Sequence, residues 1–205
     1  MSHERCIFWE DKQALILSDL HFGKSGHFRK SGVAIPQHVF KEDLFRLFSQ
    51  IQFFKATNLI IVGDLFHSHA NKEMELFLKW RNDMSSLHIH LIKGNHDILS
   101  NNYYDKAGIE VSDNQWLNTP FCFTHDIALQ GNPKPKNSYT FSGHIHPGIR
   151  ISGISKQSLR FPCFYFTKDF AVLPAFSLFT GLAALHPEKS DNVFALVEKS
   201  IVKIQ

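Results

Sequence analysis

A short apolar run that ends in a turn carrying Asp, Asn or His recurs five times along this chain. The five runs are residues 14–17, 59–62, 87–92, 121–124 and 139–141. Short runs rich in β-branched residues and closed by a turn are typical of buried β-strands. The repetition therefore predicts a sheet-based fold in which polar side chains follow several strand ends.

Apolar residues at helical spacing separate the first three runs, over residues 36–55 and 72–84. This β-α-β-α-β order predicts parallel strands, whose carboxyl ends meet at one edge of a sheet, where ligands gather. Beyond about Pro120 the pattern becomes strand-rich. The further strands predicted there are residues 161–166, 170–173 and 193–204.

A chain of 205 residues fits one domain. We therefore expect residues 1–205 to form a single α/β domain, with two mixed β-sheets flanked by helices.

The polar turns contain the residue types that bind metal ions. Histidine occurs 13 times among the 205 residues, and it is the commonest metal ligand in proteins. The turn residues are Asp19, His21, Asp64, Asn95, His96, His125, His144 and His146. Imidazole and carboxylate together suit Zn, Mn or Fe, and a set this large exceeds what one ion usually takes from a protein. The sequence predicts two neighbouring metal ions, with Asp64 as the candidate bridging carboxylate.

Two divalent cations at one site favour one kind of chemistry. Their charge outweighs that of the two aspartates and a bridging hydroxide, so the pocket attracts anions. Metal pairs about 3.5 to 4 Å apart hold the attacking and departing oxygens of a phosphoryl displacement, and they lower the pKa of bound water. Phosphoester hydrolysis is therefore the predicted reaction.

The five turns read D-L-H, G-D-L-F-H, G-N-H-D, T-H-D and G-H-I-H, and in this order they resemble the five motifs of the calcineurin-like metallophosphoesterases. The resemblance implies a four-layer α/β/β/α sandwich with two metal sites. One site comprises Asp19, His21, Asp64 and His146, and the other Asp64, Asn95, His125 and His144. It also implies attack by a metal-bridging hydroxide, with His96 as a general acid and Asp97 orienting it. General acid help is typically worth about 10² to 10⁴ in rate.

Three further segments resemble a narrower bacterial branch, the ligase-associated DNA-damage-response phosphoesterases. They are Asp19-Leu20-His21-Phe22-Gly23-Lys24, Leu173-Pro174-Ala175-Phe176 and Phe179-Thr180-Gly181. This resemblance implies an endonuclease-like phosphodiesterase, with DNA as a candidate substrate and a functional link to DNA ligase and repair proteins. Two alternatives stay open. One is hydrolysis of a small nucleotide, cyclic phosphodiester or nucleotide-sugar pyrophosphate, and the other is a non-catalytic scaffold of the same fold.

Basic side chains near the motifs are candidates for substrate contacts. They are Lys24, Arg29, Lys30, His67, Lys134 and Lys136. Such cations supply salt-dependent affinity for nucleic acid that does not depend on its sequence. A solvated surface is the competing explanation for these charges.

Aromatic and acidic residues near the motifs are further candidates for influencing substrate binding. Aromatic rings can stack on nucleobases. The candidates are Phe28, Tyr103, Tyr104 and Trp116, although core packing is the favoured role in a chain with 20 Phe residues. Asp126 follows the fourth-motif histidine, where many relatives have Gly, and it would add negative charge near the second metal if it points inward.

Charge and cysteine content limit which partners, metal sites and cell compartments are expected. The net charge of +3 is too small to indicate a polyanionic partner by itself. Cys6, Cys122 and Cys163 lie far apart without a C-x-x-C pair, so neither a disulfide framework nor a thiolate zinc site is predicted. No secretion signal or membrane-spanning stretch is apparent, so we expect a cytoplasmic protein without membrane association. Mn²⁺ is the expected metal, with Fe or Zn as alternatives, and the oligomeric state stays open.

Overall fold

A computed structural model describes residues 1–24, 38–67, 72–129, 137–153 and 157–205. Within them, the first sheet consists of five strands. These are β1 (Ile7–Trp9), β2 (Ala14–Leu17), β3 (Asn58–Val62), β4 (His88–Ile92) and β5 (Ile109–Ser112). The strands lie in chain order across the sheet, with β1 antiparallel to β2 and every later pair parallel.

Three α-helices among the described residues pack on one face of this sheet. They are α1 (His38–Phe54), α2 (Lys72–Asp83) and α3 (Asn101–Lys106). Side chains alternate between the two faces of a strand. Leu15 and Leu17 of β2 therefore join the helix-side core, whereas Ile16 between them faces the second sheet. The helices contribute Leu47, Phe77 and Tyr104 to the helix-side core.

Nine strands of the described residues form the second sheet. They are β6 (Gln115–Asn118), β7 (Phe121–Thr124), β8 (Tyr139–Ser142), β9 (Pro147–Ser152), β10 (Ser158–Phe166), β11 (Phe170–Val172), β12 (Ala183–Ala184), β13 (Asn192–Val197) and β14 (Ser200–Lys203). The order is β12-β9-β10-β11-β8-β7-β6, with β13 pairing with β10 and β14 with β13. The pairs β7–β8 and β8–β11 are parallel, so this sheet is also mixed.

The two sheets enclose a second apolar core. Ile60 and Val62 of β3 pack there with aromatic residues of the second sheet. Those aromatic residues include Phe123, Phe141 and Phe164. Full burial of one such side chain contributes about 1.5 to 3 kcal/mol. This core fixes the two sheets against each other, so the strand ends on both sheets keep one relative position.

The α/β class with two mixed sheets is confirmed. On the outer face of the second sheet, the described residues carry no α-helix but a small apolar cluster of Ile149, Cys163 and Val193, on which Leu185 packs. The strand predicted over residues 193–204 is wrong as a single element. It is the hairpin of β13 and β14, which turns at Glu198 in a left-handed conformation (φ 53°).

Two short 3-10 helices, Glu10–Lys12 and Ile127–Leu129, complete the described elements. None of the helices among the described residues combines the length and the apolar character that crossing a bilayer requires.

Candidate metal centre

The turns after β2, β3, β7 and β8 are joined by backbone hydrogen bonds at the carboxyl ends of these strands. The Asp19 N–H donates to the Gly63 carbonyl (3.1 Å), and the Gly143 N–H donates to the His125 carbonyl (3.0 Å). The two sheets meet here as well, because the His144 N–H donates to the Asp19 carboxylate (3.2 Å to Oδ2). The strand-end turns that the sequence pattern predicted to converge therefore lie together.

The first cluster consists of Asp19, His21 and His146, whose donor atoms all lie within 4.8 Å of one another. The two Nε2 atoms of His21 and His146 are 3.2 Å apart, and His146 Nε2 is 3.3 Å from Asp19 Oδ1. Asp19 has no exposed surface. A buried carboxylate faced by two imidazole nitrogens fits the donor set of a divalent cation.

The second cluster consists of Asp64, His125 and His144, again with donor atoms within 4.8 Å of one another. Nε2 of His125 is 3.4 Å from Asp64 Oδ2 and 3.1 Å from His144 Nδ1. The amide oxygen of Asn95 lies 3.1 Å from the same Nε2 atom. This set also fits a divalent cation, with the amide as an additional oxygen donor.

One oxygen of Asp64 lies between the two clusters. Oδ2 is 3.9 Å from Nε2 of His21 in the first cluster and 3.4 Å from Nε2 of His125 in the second. The other oxygen, Oδ1, accepts a hydrogen bond from the His96 backbone N–H (2.9 Å). Asp64 is therefore placed to contribute to both clusters.

Burial and charge set the protonation of the cluster side chains. Burial lowers the pKa of His21 to about 3, against the opposing charges of Asp19 and Asp64. Burial also opposes ionisation of Asp64, but the hydrogen bond and charge of His125 outweigh it and hold this pKa at about 2. Burial lowers the pKa of His125, whereas the hydrogen bond and charge of Asp64 outweigh that effect and raise it to about 9. A divalent cation at the second cluster would displace the proton of His125, because a histidine ligand must be neutral.

The backbone is strained at five of the seven candidate ligands. Their φ angles are 54° at Asp19, 51° at His21, 50° at Asp64, 69° at His144 and 52° at His146. Residues other than Gly rarely adopt this left-handed backbone conformation, which costs on the order of 1–3 kcal/mol per residue. Such strain persists only where the surrounding structure holds it, and five of the ten described non-glycine residues with positive φ lie at this edge of the sheets.

Glycines of the second and third motifs leave room for the ligands. A Cβ atom on Gly63, where φ is 84°, would lie 1.8 Å from Nδ1 of His125. A Cβ atom on Gly94 would lie 2.1 Å from Oδ1 of Asp64. The Gly residues that precede Asp64 and Asn95 are thus required by the ligand side chains that lie against them.

Gly94→Ala is expected to lower kcat/KM of the predicted phosphoester hydrolysis by about 100-fold, because the new methyl group must displace the Asp64 carboxylate. Gly153→Ala is the matched control, since among the described residues beyond its chain neighbours the atom nearest to its Cβ would be the Gln157 carbonyl oxygen, at 3.8 Å. Steady-state kinetics on bis(p-nitrophenyl) phosphate measures both variants. Equal activity in the two would contradict this role of Gly94.

The side chains of His96 and Asp97 differ in position. The His96 ring lies beside the first cluster, with its centroid 5.5 Å from that of His21. Asp97 is buried and accepts hydrogen bonds from the backbone N–H groups of Gly94 (2.9 Å), Phe66 (2.9 Å) and Leu65 (3.3 Å). These are the hydrogen bonds that the structure gives its carboxyl group, and none goes to the His96 ring. The Asp97 carboxyl group thus binds the backbone of the loop that carries His96, and the orientation of the His96 ring by Asp97 stays a prediction.

Burial raises the pKa of Asp97 to about 7, against the three hydrogen bonds from the backbone. The carboxyl group ties the turn after β3 to the turn after β4, since Leu65 and Phe66 belong to the former and Gly94 to the latter. Asp97 is therefore a buried link between these two turns.

Two of the candidate substrate contacts lie at the metal centre. Nδ1 of His67 is 3.3 Å from Nδ1 of His21, and its ring centroid is 4.1 Å from that of His96. Burial lowers the pKa of Lys24, while the charges of Asp64 and Asp19 act in the opposite direction. The other candidates fall outside the described residues. They are Arg29, Lys30, Lys134 and Lys136.

The remaining sequence candidates lie away from the ligands or beside them. Tyr104 is fully buried in the helix-side core, Trp116 stacks on His90 with centroids 3.8 Å apart, and Phe28 is outside the described residues. Asp126 Oδ1 accepts a hydrogen bond from the Ala128 N–H, and its Oδ2 lies 3.9 Å from Nε2 of His144. Asp126 thus faces the ring nitrogen of His144 opposite to the one in the cluster.

The segment after β11 contacts the site, although the sequence motifs place no candidate ligand in it. After β11, the Phe176 N–H donates to the Ser18 carbonyl (2.8 Å), and the Ser177 N–H donates to the Asp19 carbonyl (3.2 Å). The signal for it is a sixth apolar run closed by a turn, Leu173-Pro174-Ala175-Phe176. This turn contains no Asp or His, so its residue types do not indicate a role at a metal site.

Residues 13–163 match a family model described as calcineurin-like phosphoesterase, and this region contains both clusters. The chain is similar to the crystal structure of Pseudomonas putida nuclease MPE, with 26% sequence identity and a TM-score of 0.81. That similarity covers 100% of this chain and 94% of the nuclease chain. No curated protein matches this chain.

Proposed function

Because the chain belongs to the calcineurin-like phosphoesterase family, we propose that it is a binuclear-metal phosphodiesterase that cleaves nucleic acid, with DNA as the first candidate. The observation that carries the proposal is the position of Asp64 Oδ2 between two clusters of imidazole and carboxylate donors. The similarity to a nuclease along the whole chain supports nucleic acid as the substrate class.

Each cluster would hold one divalent cation, and Asp64 would contribute to both. The first set is Asp19, His21, Asp64 and His146, and the second is Asp64, Asn95, His125 and His144. When bound, such a pair activates water near neutral pH and neutralises charge on the phosphoryl oxygens. Mn²⁺ is the proposed metal, because imidazole, carboxylate and amide donors together accept it.

His96 is the proposed proton donor to the leaving oxygen. Its ring lies at the first cluster beside His67, and its backbone N–H is fixed on Asp64. The Asp97 carboxyl group holds the rest of that loop through the Gly94 N–H. A proton held at the His96 ring can therefore be delivered at one defined position.

The exposure of the second cluster favours a large substrate over a small one. Among the described residues, Asn95 is exposed and the His144 side chain is 41% exposed. A polymer backbone can approach such a site from solvent. Lys24 supplies a cation near Asp19 and Asp64, and we propose that it contacts a substrate phosphate together with His67.

The purified protein with added Mn²⁺ is expected to hydrolyse bis(p-nitrophenyl) phosphate at least about tenfold faster than p-nitrophenyl phosphate, and to nick supercoiled DNA. Chelation should stop both reactions, and readdition of Mn²⁺ should restore them. Nucleotides and nucleotide-sugar pyrophosphates are assayed beside an oligonucleotide. A larger kcat/KM for any of these small substrates, or a preference for the monoester, would contradict the nuclease proposal.

A further inference from the structure

The segment that follows β11 borders the first metal cluster without contributing a ligand. We name residues 174–183 the rim segment. The Ser177 N–H donates to the Asp19 carbonyl (3.2 Å), and at the other end the Ala183 N–H donates to the His146 carbonyl (3.0 Å). Asp19 and His146 both belong to the first cluster. The residues between these two tethers therefore pass beside that cluster.

Two arginines hold the first part of the rim segment in place. Arg5 Nη1 donates to the carbonyl groups of Ala175 (3.0 Å) and Ser177 (2.7 Å). Arg46 Nη1 donates to the Phe176 carbonyl between them (3.0 Å), and the guanidinium lies 4.5 Å from the centre of the Phe176 ring. Three consecutive carbonyl groups thus accept hydrogen bonds from cations. Charge-assisted hydrogen bonds are about twice as strong as neutral ones, so residues 175–177 are held firmly beside Asp19.

The middle of the rim segment presents apolar side chains to solvent. Leu178 is 45% exposed and Phe179 is 41% exposed. The Leu178 N–H donates to Asp43 (3.4 Å), and the Phe179 N–H donates to Ser177 Oγ (3.2 Å), so backbone contacts hold both residues. A phosphate group is bound by charged and polar donors, which the side chains of Leu178 and Phe179 lack. These apolar side chains suit contact with the organic part of a substrate.

We propose that Phe179, with Leu178 beside it, is a subsite for the nucleobase next to the phosphate that is cleaved. The inference rests on the proposed nuclease function. Aromatic side chains bind bases by stacking and tolerate every base, because every base has a π-face. Phe179 thereby favours substrates that carry a base on that side of the phosphate, whatever its identity.

Two single-stranded oligonucleotides of one length test the subsite, one of thymidines and one of abasic tetrahydrofuran units. The wild-type protein with Mn²⁺ is expected to cleave the thymidine strand with the larger kcat/KM. Phe179→Ala should lower that value by about tenfold, mainly through KM, and leave the abasic strand unchanged. Phe179→Trp should retain the preference. Phe53→Ala is the matched control, because Phe53 is 75% exposed in the last turn of α1, about two turns beyond Arg46, which binds the rim segment.

The outcomes separate the subsite from the nuclease proposal. A wild-type protein that cleaves both strands equally, or a Phe179→Ala variant that keeps the full preference, overturns the subsite while the nuclease function stands. An equal loss on both strands assigns Phe179 a structural role and also overturns it. A wild-type protein that hydrolyses bis(p-nitrophenyl) phosphate but neither strand overturns the nuclease proposal itself. Should Phe179→Ala melt at a lower temperature, Phe179→Leu takes its place in the comparison.

Discussion

Asp64→Asn is expected to lower kcat for bis(p-nitrophenyl) phosphate by at least about a thousandfold and to reduce bound Mn²⁺ below two ions per chain. The substitution preserves volume and one oxygen, but it removes the negative charge at the atom that lies 3.9 Å from His21 and 3.4 Å from His125. Both clusters lose the same anionic donor at once, because this oxygen lies between them.

Metal content by mass spectrometry and steady-state kinetics on the same preparations measure this prediction. Asp113→Asn is the matched control, because this carboxylate is 79% exposed and pairs with Lys93 on the surface. We expect the control to bind two ions and to keep wild-type activity. An Asp64→Asn variant that binds two Mn²⁺ ions and turns over normally would remove the basis of the two-metal site.

The sequence predicted those strands and helices that a pattern of neighbouring residues indicates. The strands expected at residues 14–17 and 121–124 are confirmed as β2 and β7 with the same bounds. The helix expected at 36–55 is observed as His38–Phe54 within the described residues. Burial on both faces of a parallel strand leaves a continuous apolar run, and a helix packed on one face leaves a helical period, so both can be read from neighbouring residues.

Contacts between distant residues could not be predicted in the same way. The Asp97 carboxyl group, for example, accepts hydrogen bonds from the N–H groups of Leu65 and Phe66, which lie 32 and 31 positions away in the chain. Nothing in the sequence marks these donors, since every residue except Pro carries a backbone N–H group. The tethers of Ser177 and Ala183 at the first cluster are backbone contacts of the same kind.

The left-handed backbone conformations of the candidate ligands could not be predicted from the sequence either. Gly is the usual signal for positive φ, but at His21 and His146 the side chain is a candidate ligand that Gly could not supply. The neighbouring turns supply the restraint instead. The His21 N–H, for example, donates to the Asp64 carbonyl (2.8 Å). The sequence could thus name candidate ligands, whereas their backbone geometry depends on the assembled sheet edge.

His96→Ala is expected to lower kcat for DNA cleavage by about 10² to 10⁴ while leaving two bound Mn²⁺ ions per chain. The reason is that its ring lies beside the first cluster and, in the proposed role, gives a proton to the departing oxygen. A p-nitrophenolate departs without a proton, whereas a nucleoside alkoxide does not. The loss on bis(p-nitrophenyl) phosphate should therefore be smaller, within about tenfold of wild type.

The ratio of the two losses separates proton donation from other roles of His96. A residue that only shapes the site would lower both activities by the same factor, and a ligand would also lower the metal content. His88→Ala is the matched control, because His88 is an exposed histidine at the start of β4, the opposite end of the strand that leads to His96. Equal losses on the two substrates in His96→Ala, with Mn²⁺ retained, would show that the proton of the leaving oxygen comes from another group.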